Sequence, residues 1–72
     1  MGLYDEALRY KKLAESAIKR GDTESAKRYL RAAIERLKKL ERMSEDPLIR
    51  EMWRRGAKNL MMLLESIESG AI

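Results

Sequence analysis

The sequence predicts an all-α fold: a three-helix up-down-up antiparallel bundle, built as one domain over residues 1–72. Three observations predict it. Apolar residues recur in alternating steps of three and four along three separate stretches. Between those stretches stand helix-stop and helix-start residues, at Gly21-Asp22 and at Ser44-Glu45-Asp46-Pro47. No stretch alternates apolar and polar residues with β-branched enrichment, so strands are not expected.

The first helix is expected over roughly 3–20, with the stripe Leu3, Ala7, Tyr10, Ala14 and Ala17. Gly21 suits the left-handed position just past its end. The second is expected over roughly 22–43, with Ala26, Leu30, Ala33, Leu37 and Leu40 as its stripe. Asp22 is its N-cap candidate, and Glu24 favours the positive end of the helix dipole. The third is expected over roughly 47–69, with Ile49, Trp53, Gly56, Leu60, Leu63 and Ile67. Asp46 caps it, Pro47 fits the first helical position, where no N–H is missed, and Gly70 ends it. Connections this short allow only antiparallel neighbours.

Composition narrows function. The chain has no Cys and no His. A disulfide framework, a thiolate nucleophile and a sulfur metal site are therefore excluded, and the usual general base at neutral pH is missing. No cofactor, metal or catalytic residue is expected, and the protein is not expected to be an enzyme. No apolar run reaches the roughly 20 residues needed to span a bilayer, and residues 1–6 do not read as a signal peptide. A cytoplasmic setting is the expectation. Charged residues make up 39% of the chain, with a net charge of +4. Abundant Lys, Arg and Glu without Cys suits a heat-adapted organism.

Apolar surface exceeds what one stripe per helix requires. Leu60-Met61-Met62-Leu63-Leu64 covers the whole circumference of the third helix, which reads as binding surface beyond the core. On the second helix, Lys27, Leu30 and Ile34 spill to one flank, and Tyr29, Ala32 and Met43 to the other. One bundle hand sets the first flank beside Arg50, Arg54, Ala57, Met61 and Leu64. The other hand pairs the second flank with Leu48, Met52 and Leu63. Periodicity alone leaves both open. The first hand gives a groove with an apolar floor and a basic rim, suited to an amphipathic helix with acidic flanks.

The stretch from Gly21 to Leu37, GDTESAKRYLRAAIERL, resembles the helical hairpin of the MIT domain, the microtubule-interacting and trafficking module. Ala7, Tyr10, Ala14, Ala17 and Ile18 resemble its small-residue first helix. The likeness covers nearly the whole chain through motifs of low specificity, and the third helix matches more loosely. Thr23, Lys27 and Leu30 depart from the family pattern, with Tyr29 one place before the usual Tyr. Tetratricopeptide repeats share the hairpin pattern but normally need about three repeats.

The resemblance implies a protein-interaction module that binds short C-terminal tail motifs of ESCRT-III-like filament proteins. It further implies the N-terminal adaptor of an AAA+ disassembly ATPase, as in eukaryotic trafficking or archaeal division. Family members take an amphipathic helix between the second and third helices, or an extended Pro-containing segment between the first and third. The family's handedness selects the first arrangement above. Lys27, Leu30, Ile34, Arg50, Arg54, Ala57, Met61 and Leu64 are then the expected site for a partner helix. With the hand set, wheel geometry gives a second groove: Tyr4, Leu8, Lys11 and Ile18 facing Leu48, Met52 and Leu63. Ala57→Asp is expected to abolish helix binding and leave the fold intact. The isolated domain is expected to be monomeric, with micromolar affinity for its peptide.

Two rivals remain. Arg50, Arg54, Arg55 and Lys58, with the crowded cations of the second helix, would suit a basic nucleic-acid-binding domain. Interspersed acids form local pairs with many of them, which ranks nucleic acid below a peptide. A structural or designed bundle is the other, against which stand Gly56 within a helix and Met61-Met62 on its flank.

Overall fold

The computed structural model describes residues 2–71. It contains three helices: α1 Leu3–Lys19, α2 Thr23–Met43 and α3 Pro47–Glu68. No strand is present among the described residues.

Local hydrogen bonding explains where each helix ends. Gly21 has φ +77°, and its N–H donates to the Ile18 carbonyl at 3.0 Å while the Asp22 N–H donates to that of Ala17 at 2.9 Å. Gly70, at φ +81°, repeats the pattern: its own N–H reaches Ile67 at 3.1 Å and that of Ala71 reaches Ser66 at 2.9 Å. Both are Schellman ends, in which two otherwise orphaned carbonyls are satisfied by a left-handed residue that glycine adopts without strain. The Asp22 carboxylate accepts from the Ser25 N–H at 3.1 Å, and the Asp46 carboxylate from the Leu48 N–H at 2.9 Å. Hydrogen bonding from Ser25 holds the Asp22 carboxyl below its ordinary pKa.

Packing is pairwise around α2. Helix α1 lies on one side of it and α3 on the other, and no described Cα of α1 comes within 8 Å of one in α3. The molecule is accordingly a slab of 38 × 25 × 13 Å, with α2 in the middle. Helix α1 buries only small residues, Ala7, Ala14 and Ala17. Helix α2 buries Ala26, Leu30, Ala33, Ile34 and Leu37, and α3 buries Ala57, Leu60 and Ile67, all in one cluster.

Side chains cross each seam at its edge. Arg36 reaches Glu6 at 3.4 Å and lies over the Tyr10 ring at 4.9 Å, and that ring stands 6.2 Å from Tyr29. Arg54 meets Glu41 at 3.0 Å, and Arg31 meets Glu68 at 2.8 Å. Exposed ion pairs such as those of Arg54 and Arg31 contribute little stability. These contacts also identify the hand: Glu41 of α2 faces Arg54 of α3, while Tyr29 turns to Tyr10 of α1.

This arrangement changes the meaning of the apolar excess. A helix between two neighbours must bury two faces, so its apolar arc is wider than one stripe. Leu30 and Ile34 form the second packing face of α2. Within the run from Leu60 to Leu64, Leu60 is buried, Met61, Leu63 and Leu64 are half-buried, and Met62 is exposed.

Candidate functional site

Between α1 and α3, where the slab does not close, lies an open groove of about 540 Å³. Tyr4, Ala7, Leu8 and Lys11 form the α1 wall, and Met52, Trp53, Gly56, Asn59, Leu60 and Leu63 form the α3 wall. Leu37 of α2 contributes the floor. Trp53 is anchored by its Nε1–H, which donates to the Ser44 hydroxyl at 3.1 Å. The Tyr4 and Trp53 rings approach to 5.6 Å with a tilt of 49°, joining the two walls at that point.

Small residues keep the groove open. Ala7 and Gly56 face it from opposite walls. A Cβ on Gly56 would lie 3.5 Å from Cδ1 of Leu37, the floor residue. The lining is largely apolar. Its polar groups include the Lys11 ammonium and the Asn59 amide, both exposed and without an ion pair or hydrogen bond among the described residues. The backbone of both walls is helical and internally paired. Only side chains can bind a guest here.

The residues of the second expected groove fall largely on these walls. Tyr4, Leu8, Lys11, Met52 and Leu63 line one continuous furrow. Leu48, 82% exposed, lies beside it in a shallow depression along α3 that also includes Met52 and Asn59. Ile18 lies outside the furrow, packed against the core.

The α2/α3 site requires correction. Its residues do come together, but as a filled seam. Leu30 is 0% exposed, Ala57 3%, and Ile34 is buried with them, so none offers a surface to a partner helix. Met61 and Leu64 are half-buried against the same cluster. Lys27 is tied to Glu24 at 3.2 Å, and Arg54 is shared by Glu41 and Glu51. Arg50 is exposed with no ion pair among the described residues. Ala57→Asp would place a carboxylate inside the core, so the expectation that this variant stays folded is withdrawn.

Sequence reasoning did not place Ala7, Leu37, Trp53, Gly56, Asn59 and Leu60 in a groove. Five of them stand on or near core stripes, and a stripe does not tell whether the helices beside it close. The opposed small residues Ala7 and Gly56 were the available signal.

Among the described residues no group of three or more carboxylates could hold a metal ion, and no helix is long and apolar enough to cross a membrane. No protein-family model, curated protein sequence or solved structure matches the chain.

Proposed function

We propose that this chain is a protein-interaction module whose α1/α3 groove takes an extended, apolar, Pro-containing segment from the tail of a partner protein. The observation that carries the reading is the open furrow itself. It presents exposed apolar side chains, Tyr4, Leu8 and Met52, over a Leu37 floor. Apolar concave surface with a few polar groups is the usual character of a ligand site.

The form of the guest follows from the walls. Helical walls cannot pair with a strand, so the guest keeps its backbone solvated on the outer side, as polyproline II does. From Trp53 to Leu63 the wall runs about 15 Å at 1.5 Å per residue, room for roughly five residues at 3.1 Å each. Lys11 favours an acidic residue beside the apolar anchors.

The resemblance to MIT domains supports the same side of the molecule. Of the two docking modes it implies, the extended one has a furrow to enter, and the helical one meets a filled seam. In that reading the partner is an ESCRT-III-like filament tail, and the module tethers an AAA+ disassembly ATPase to it.

The test is a titration of a fluorescein-labelled, Pro-containing tail peptide of an ESCRT-III filament protein. Leu8→Asp and Met52→Asp alter exposed positions and should each abolish micromolar binding while the helical circular dichroism is retained. Met62→Asp, exposed on α3 but outside the groove lining, should bind as the native chain does. Undiminished affinity in both groove variants would remove the groove from the function.

A further inference from the structure

The side of the slab away from the groove has a different chemistry. The exposed positions along α2 include Arg28, Arg31, Glu35, Lys38, Lys39 and Arg42. At about 100° per residue these six fall within an arc of about 100°, opposite the buried stripe of Ala26, Leu30, Ala33 and Leu37. Arg28 to Arg42 covers about 21 Å of helix. Between Arg28 and Arg42 the ridge therefore carries five cations and one carboxylate of α2, with Glu24 at the same angle one turn earlier and Glu68 of α3 against Arg31.

These cations are mostly uncommitted. Arg31 is held by Glu68 at 2.8 Å, and Arg28 donates to the neutral Ser25 hydroxyl at 3.2 Å. Lys38, Lys39 and Arg42 make no ion pair among the described residues. From Arg28 to Arg42 no large apolar side chain is exposed, and Met43, 64% exposed, lies at the C-terminal end of the ridge. That absence disfavours an amphipathic helix, which needs apolar anchors beside the charge. An anionic lipid surface attracts cations without anchors, but as a flat sheet of headgroups and not as a rod of closely spaced phosphates. A nucleic-acid backbone repeats its phosphates at close intervals and needs none. Arginine also suits phosphate through its paired N–H groups.

We infer that the exposed ridge of α2 is a sequence-independent binding face for a nucleic-acid phosphate backbone, covering about six base pairs of duplex at 3.4 Å each. It is separate from the α1/α3 groove and stands whether or not that groove binds a peptide.

The experiment is fluorescence anisotropy of a labelled mixed-sequence DNA duplex at 50 and 200 mM salt. Four available cations give a log–log salt slope of about −3.6, a loss of roughly 150-fold in affinity over that fourfold change. Lys38→Glu with Arg42→Glu should weaken binding more than tenfold at the lower salt and flatten the slope. Lys12→Glu with Lys19→Glu removes the same charge from exposed sites on α1 and should stay within about threefold, with the slope unchanged. If the first pair loses helicity, Lys38→Gln with Arg42→Gln carries the same comparison. Equal losses in the two pairs would assign the attraction to net charge and overturn the site. So would undetectable duplex binding at 50 mM salt, or binding that survives the α2 substitutions.

Discussion

Gly56→Ala should make the protein more stable and a poorer binder at once. Gly56 is inside α3 and is not among the glycines with positive φ, so alanine fits the backbone without strain. Its new Cβ would meet Leu37 Cδ1 at 3.5 Å, an ordinary van der Waals contact with a side-chain tip. The helix-interior gain from glycine to alanine is about 0.8–1.0 kcal/mol. In a domain of this size that raises Tm by roughly 3–8 °C. The same methyl intrudes on the groove floor. An extra methyl forced into close packing costs about 1–3 kcal/mol, so for a guest packed on that floor peptide Kd should rise roughly five- to 150-fold. Thermal melting by circular dichroism measures the first effect, and titration followed by Trp53 fluorescence the second. A lower Tm would show that Leu37 cannot accommodate the methyl and that the glycine serves packing. A higher Tm with unchanged affinity would place the guest elsewhere.

Other perturbations test the frame around the groove. Leu30→Ala empties the largest fully buried side chain and should cost about 2–5 kcal/mol, a large part of the total stability of a chain this short, read by urea denaturation. Ala57→Asp should lose helical circular dichroism rather than one binding mode, and a native spectrum would mean that the α2/α3 seam opens to solvent. Asp46→Ala removes the α3 N-cap and should cost about 1 kcal/mol by the same denaturation. Asp22 has a folded pKa lowered by its Ser25 hydrogen bonds, so its contribution is complete above its unfolded value and fades as pH falls through the lower folded one. The difference in Tm between the native chain and Asp22→Asn should therefore be constant above about pH 5 and shrink below about pH 4.

Helix ends were legible in the sequence because they are local. Gly21, Asp22, Asp46, Pro47 and Gly70 each satisfy groups within a few residues of themselves, and the observed bounds differ from the expected ones by at most one residue. Stripe directions were legible for the same reason. The separation of α1 from α3 was not, because a wheel gives the direction of a face and not the distance between axes. Leu30 and Ile34 were read as spare surface on a helix with one buried face, when α2 has two. The groove walls were expected at Tyr4, Leu8, Lys11, Met52 and Leu63 only after the family resemblance had set the hand, with the wheel then giving the flanks. Ile18 and Leu48 of the same expectation fall outside the furrow. The floor was not expected, since Leu37 and Ala7 look like any other core residues until their neighbours stand apart.

A slab joined through its central rod, with a ring contact between its outer helices, resembles a book bound at the spine. The covers are bound differently: α1 buries only alanines and has the Glu6–Arg36 pair, while α3 buries Leu60 and Ile67 and is spanned by two ion pairs. Arg54 and Arg31 stand at the spine side of α3, so a substitution there acts on how that cover is bound without altering any page the guest touches.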